Sequence, residues 1–274
     1  MPRFQIVTDS SALVGNLLTS DDLPVTIIPN TPTANPRAAA RRAPPADGHG
    51  LQSPTADAYA EVFIRLSRRT DGILCITPSR QLSAHWEHAH LAMTQIAGAC
   101  PVHIFDSQTL SGAQTLITLQ AARLLCTLPG LDAVERALRN ALQHNYTLMF
   151  VEHVELLARS GILNPQHTLL STMLGVKPLV TAENGILTAV EKTRSRLQAL
   201  DRLYEFAAEF GQHAHIIIQH DHESADTAAR LHERLQDELQ GQTDIFVYNS
   251  ALSALVGTGA VAIAIQDSVI EQEN

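Results

Sequence analysis

The chain has 274 residues, enough for one large or two modest domains at about 150 residues each. Lys and Arg number 19 against 28 Asp and Glu, a formal charge of −9, which argues against a general binder of nucleic acid or anionic membrane. With 45% hydrophobic and 17% charged residues, the chain can build a core and lacks the composition of a disordered protein. The three cysteines, Cys75, Cys100 and Cys126, are widely spaced without a CxxC pair and read as reduced thiols of a cytoplasmic protein. Met1–Phe4 runs straight into β-rich Gln5–Ile6–Val7, so no secretion leader is expected. The apolar stretch Ala251–Ile265 is interrupted by Ser253, Gly257 and Gly259 and is too short for a membrane span.

In chain order, Gln5–Thr8 and Pro24–Pro29 are short strands. Residues Asn30–Gly50, rich in Pro, Ala and Arg without apolar period, form an exposed loop. Arg37, Arg41 and Arg42 lie in it, and it precedes Leu51, so a lid over a ligand entrance is one role for it. Ser53–Pro54 reads as a helix N-cap with proline at the first helical position. Tyr59, Val62, Phe63 and Leu66 then form one apolar helical face. Gly72–Thr77 is a buried strand, and Leu82, Trp86, Ala89, Met93 and Ile96 step along a helix. Pro101–Phe105 is a strand, followed by helices marked by Ala113, Leu116, Ile117 and Leu124, and by Leu131, Val134, Leu138 and Leu142. Strand–helix units in succession predict a parallel sheet covered on both faces.

Beyond residue 148 the pattern changes. Thr147–Val151 is a strand, followed by short helices at Val154–Arg159 and His167–Leu174. Val176–Val180 and Ile186–Val190 flank Asn184–Gly185, a hairpin turn signal. Leu197, Leu200, Tyr204 and Ala207 mark a helix, Ala214–Gln219 a strand, and Ala228, Leu231, Leu235 and Leu239 a last helix. Asp244–Tyr248 and Ala260–Gln266 close the chain as strands. The expected architecture is α/β with two lobes, residues 1–148 on a parallel sheet and 149–274 on a mixed sheet.

The order of these segments resembles the DegV family. Ile6–Val7–Thr8–Asp9–Ser10 is similar to that family's "VTDS" opening, and Ser79, Leu82 and Ser83 to its "SSxLSGTYxSA". Ile104–Ser107, Gly112, Leu174–Pro178 ("IKP"), Asn184–Ile186, Lys192–Thr193–Arg194 ("K-x-R") and Gly257–Ala260 ("GPGA") follow in order. The resemblance implies a long-chain fatty acid or related lipid held in a cleft between the lobes, with no chemistry by the chain itself and no cofactor. It also implies, as alternatives, a fatty acid kinase binding subunit that presents the carboxylate to a separate ATP-dependent kinase subunit, with Ser83 and Arg194 at the phosphotransfer site, or a scaffold that has lost its ligand. Each buried methylene contributes about 0.8 kcal/mol, so a long tail binds tightly even with modest head-group contacts.

Matched to the family, the ligand-binding candidates are Leu51 and Ser53 in one segment, and Ser79, Ser83 and Ala84 in a second. Ile162, Arg194 and Leu255 complete the set. Three of these depart from the family: Leu51 stands at a threonine, Ile162 at an arginine and Leu255 at a histidine. Ala84 replaces a glycine. The aliphatic head points to an uncharged ligand or a longer chain.

Plainer roles compete at several positions. Ser83 has a helix-cap reading, and Ser10, Ser11 and Ser107 read as caps, although Asp9 and Asp106 end strands where α/β proteins place ligands. Lys177 reads as a structural residue with a solvated head. The 13 histidines include His85, His88 and His90 on one helix and His213, His215, His220 and His222 around one strand, but no HExxH or cysteine set completes a metal pattern. Gly257–Gly259 lacks the Walker lysine. From the departures we expect Leu51→Thr with Ile162→Arg and Leu255→His to raise affinity for free fatty acid, measured by calorimetric titration; unchanged binding refutes it.

Overall fold

A computed structural model describes residues 3–12, 17, 23–30, 51–96, 98, 100–159, 177–210, 214–239 and 241–267. The first sheet is built from β1 (Phe4–Asp9), β2 (Val25–Ile28), β3 (Gly72–Thr77) and β4 (Val102–Asp106) in the order β2-β1-β3-β4. All its pairings are parallel, as the alternation of strands and helices predicts. β3 is buried along its whole length because successive side chains serve opposite faces. Ile73 and Cys75 meet Tyr59, Phe63 and Leu66 of α1 (Ala56–Ser67) and Ala89 and Ala92 of α2 (His85–Gln95). Leu74 and Ile76 meet Ile117 and Ala121 of α3 (Ser111–Thr127) and Val134 and Leu138 of α4 (Leu131–Ala141).

The N-cap of α1 is Thr55, whose side chain accepts from Ala58 N–H at 3.2 Å. This corrects the expected cap at Ser53. Ser53 Oγ instead donates to the carbonyl of Pro54 at 2.9 Å and lies 3.0 Å from His88 Nδ1. The serine caps are corrected too. The Asp9 carboxylate takes Ser11 N–H at 2.8 Å and the Asp106 carboxylate takes Gln108 N–H at 2.9 Å, so the strand-ending aspartates close these turns.

The second sheet is six-stranded in the order β7-β6-β5-β10-β8-β9. Its strands are β5 (Asn145–Phe150), β6 (Lys177–Glu183), β7 (Ile186–Thr193), β8 (His215–His220), β9 (Gln242–Val247) and β10 (Val261–Gln266). β8 and β9 pair in parallel and the other pairings are antiparallel. The β6–β7 hairpin turns at Asn184 (φ 51) and Gly185 (φ 82), the positive angles that the Asn–Gly signal predicts. One face packs on α6 (Arg196–Ala208) and α7 (Ala225–Glu238). The other carries α5 (Val154–Arg159) and α8 (Ser250–Val256), the latter an element that the apolar pattern of Ala251–Ile265 concealed.

Helix α3 lies between the two sheets. Its long buried run, from Ser111 through Thr118, leaves no polar face over two turns, the signature of a helix covered all round. Ile117 and Ala121 face the first sheet, and Ala113 and Leu116 meet Ile217 and Ala264 of the second. At its start Gly112 N–H donates to Gln219 Oε1 at 2.8 Å, and Gln219 Nε2 donates to Ser111 Oγ at 2.8 Å. A Cβ at Gly112 would lie 2.7 Å from Gln219 Oε1, so this contact requires glycine. Gln219→Leu leaves buried Gly112 N–H without its acceptor; we expect a loss of about 1–3 kcal/mol in urea unfolding, and an unchanged midpoint disproves the role.

Candidate functional site

The segment between β3 and α2 is a turn organised by Ser79. Its N–H donates to the Thr109 carbonyl at 2.7 Å, its hydroxyl accepts from Gln81 N–H at 3.1 Å, and its carbonyl accepts from Leu82 N–H at 3.0 Å and from Ser83 Oγ at 3.3 Å. Ser79 Oγ also donates to the Gly185 carbonyl at 2.7 Å, which ties the turn to the β6–β7 hairpin of the other sheet. Leu51 pairs with Ser83 in an isolated parallel bridge, its N–H on the Leu82 carbonyl at 3.3 Å. Leu51, Ser79, Ser83 and Ala84 therefore share one site, with Ser53 joined to it through His88 of α2. Ser83 is fully buried and precedes Ala84, the N-cap residue of α2, which has no side-chain cap.

Leu255 lies on α8 and is 1% exposed. It belongs to an apolar cluster in which Leu82 and Leu110 from the first lobe's loops meet Met149, Val151, Val180, Leu187 and Leu252 of the second. Within that seam lies a cavity of about 30 Å³, bordered by Leu110, Ser111, Met149, Val180, Leu187, Leu252 and Ala262. That holds about one water, so a hydrocarbon tail enters only as these side chains part. Arg194 is exposed, its N–H on Gln198 Oε1 at 2.9 Å, and no described contact joins it to Ser83. Ile162, the second short helix at 167–174 and the Arg37–Arg42 loop lie outside the described residues.

A larger hollow of about 470 Å³ opens between β5, β6, β7 and α6. Tyr146 and Phe206 floor it, and Glu183, Glu191, Glu205 and Glu209 ring Arg202. Arg202 pairs with Glu191 at 2.8 Å and Glu205 at 2.5 Å. The surplus of carboxylates repels an acyl carboxylate, so this hollow is a poor head-group site despite its size.

Polar groups that the sequence left unassigned gather under the Leu51–Ser83 bridge. Asp9 is fully buried at the end of β1, with Gln114 Nε2 at 2.8 Å, Asn30 Nδ2 at 3.3 Å and His85 Nε2 at 3.4 Å. Burial alone raises its pKa, but the nearby His85 and the hydrogen bonds from His85, Ser11 and Gln114 outweigh that and hold the carboxyl well below the usual range. Burial, with smaller contributions from Cys75 and Asp9, pushes the Tyr59 hydroxyl up. His85, singled out by histidine count, thus serves a carboxylate, and no group of metal-binding side chains occurs among the described residues.

At the far edge of the second sheet, Glu152 pairs with Lys177, and with Arg196 at 3.2 Å. Lys177 is therefore an ion-pair partner. Arg196, two residues beyond the candidate Arg194, donates to the Gly259 carbonyl at 3.3 Å. Gly259 N–H donates to Asp221 Oδ2 at 2.9 Å, so an internal carboxylate takes the amide that a phosphate would use.

Two α/β lobes, a shared helix and an apolar seam capped by a buried polar turn define a ligand-holding protein of two lobes. The family model described as "Uncharacterised protein, DegV family" matches residues 50–268, and the chain belongs to the DegV family. It is 27% identical to a DegV domain-containing protein of Streptomyces coelicolor over 216 residues, 77% of this chain and 76% of that one. Among solved structures, a DegV family protein of Corynebacterium glutamicum is similar at a TM-score of 0.81 and 22% identity, covering 98% of this chain and 99% of the other. DegV of Bacillus subtilis, described as a fatty acid binding protein, gives 0.79 at 19% identity over 97% and 100% of the chains.

Because the folded Asp9 carboxyl titrates below its unfolded value of 3.8, its stabilisation is full above that pH and disappears as pH falls through the lower folded value. Asp9→Asn should cost about 3 kcal/mol or more at pH 7 and flatten the acid limb of stability below about pH 4. Urea unfolding from pH 7 to 2 measures both; a variant that keeps the acid limb contradicts the assignment.

Proposed function

We propose that this chain binds a long-chain fatty acid or a related lipid between its two lobes, 1–148 and 149–274, and carries out no reaction on it. The observation that carries this reading is the continuous apolar seam, in which Leu82 and Leu110 of one lobe meet Met149, Leu252 and Leu255 of the other around a small cavity. The fatty acid binding described for DegV of Bacillus subtilis, a relative of the same fold, supports it. Burying an acyl tail there gains about 0.8 kcal/mol per methylene, which offsets the parting of the walls. The ligand-binding residues in this reading are Leu51, Ser53, Ser79, Ser83, Ala84, Ile162, Arg194 and Leu255.

A separate kinase subunit that receives the ligand's carboxyl is the partner we attach to this reading; an acyl-phosphate assay with such a subunit and ATP examines it. A cytoplasmic location fits the free Cys75, Cys100 and Cys126. No described helix is long and apolar enough to cross a membrane. Organic extraction of the purified protein followed by mass spectrometry should yield about one long-chain fatty acid or related amphiphile per chain. Protein recovered free of amphiphile, and taking up none on addition, overturns the reading.

A further inference from the structure

Two buried polar atoms beside Asp9 lack a hydrogen-bond partner among the described residues: Tyr59 Oη and His85 Nδ1. Tyr59 is 1% exposed and His85 fully buried. An unsatisfied buried donor costs about 1–3 kcal/mol, and proteins keep few of them without a use. Their positions are suggestive. His85 opens α2, and Ser83 and Ala84 immediately precede it. Tyr59 sits on α1 in the cluster that packs α1 against Ala89 and Ala92 of α2, one turn and more beyond His85. Leu51 and Ser53 run between these helices and the Ser79–Ser83 turn, Leu51 on Ser83 and Ser53 on His88.

The orientation of the imidazole is fixed from one side. Nε2 faces Asp9 Oδ1 at 3.4 Å and Asn30 Oδ1 at 3.3 Å. Both are acceptors, so Nε2 carries a proton. Nδ1, bonded to Cγ, lies on the main-chain side of the ring, towards the turn that holds Ser83 and Ala84. The three aliphatic replacements at Leu51, Ile162 and Leu255 take polar groups away from the family's head-group position, and this pair lies next to the two candidates that the structure brings together, Leu51 and Ser83.

We propose that the Tyr59 hydroxyl and His85 Nδ1 form the head-group site for the carboxyl of a bound fatty acid, an assignment that rests on the lipid-binding reading above. A carboxyl group arriving protonated gives its proton to Nδ1. The O–H bond breaks, an N–H bond forms, and the imidazolium then lies between the ligand carboxylate and Asp9, with no change in total charge. Tyr59 donates to the same carboxylate, and the Leu51 and Leu255 side chains keep water from it. Asp9 and Asn30 act through His85 as positioning residues.

The decisive variant is Tyr59→Phe, which removes one unsatisfied oxygen and keeps the ring that packs on Phe63. Affinities of delipidated protein for palmitic acid and for hexadecanol, which share a chain length, are measured together with the unfolding midpoint of the unliganded protein. A hydrogen bond to a charged group is stronger than one between neutral groups. We expect palmitic acid to weaken by about tenfold or more, hexadecanol by no more than about fivefold, and the midpoint to stay or rise. His85→Gln, which retains a donor for Asp9, should weaken palmitic acid by a similar factor. In the wild type, the 15N resonance of His85 Nδ1 should shift on adding palmitic acid and not on adding hexadecanol.

If palmitic acid binds Tyr59→Phe as well as it binds the wild type, or both ligands weaken equally as the midpoint falls, the head-group assignment is overturned while lipid binding stands. If neither ligand binds the wild type, the lipid-binding reading falls and takes the assignment with it.

Discussion

A carboxylate removed from water must find donors or destabilise the fold by several kcal/mol. Asp9 meets that demand through groups brought from distant parts of the chain: Ser11 from the following turn, Asn30 from beyond β2, His85 from the start of α2 and Gln114 from α3. Satisfying one buried charge thereby fixes where β1, α2 and α3 sit relative to each other. The Ser79–Ser83 turn inherits that placement, because it spans β3 and the residue that grips Asp9.

The junction between lobes depends on similar economy. Ser79 Oγ reaches the Gly185 carbonyl, Gln219 holds the first amide and the first hydroxyl of α3, and the Asn249 side chain donates to the Ser10 carbonyl while its oxygen accepts from Leu252 N–H of α8. These ties are few and directional. Between them lies apolar contact that has no directional preference, which is the arrangement a cleft needs if its walls are to part around a hydrocarbon and close again.

The apolar head of the cleft creates a chemical tension that the fold itself addresses. Leu51 and Leu255 bring methyl groups where the family resemblance implies polar ones, and both are almost wholly buried. The polar capacity beneath the Leu51–Ser83 bridge comes instead from α1 and the first residue of α2, elements that the motifs did not point to. Polar function has moved by one helix face while the aliphatic lining has thickened.

Periodicity alone determined most elements. β3 has the expected limits, the Asn184–Gly185 hairpin has its positive angles, and the parallel and mixed sheets fall in the expected halves. These are local consequences of side-chain alternation and turn sterics, so a linear string carries them. The N-cap of α1 moved from Ser53 to Thr55, and α8 was not foreseen, because caps and short helices turn on one or two hydrogen bonds that several neighbours could make. The site divides along the same line. Motif order brought Leu51, Ser79 and Ser83 into view, while Arg194 proved exposed and the ion pair fell to Arg196. Tyr59 read as one more apolar residue on a helix face, and His85 as one histidine among several. Only tertiary structure decided that both lie buried beside Asp9 with a polar atom unsatisfied, because burial and hydrogen-bond partners depend on chain segments far apart in sequence.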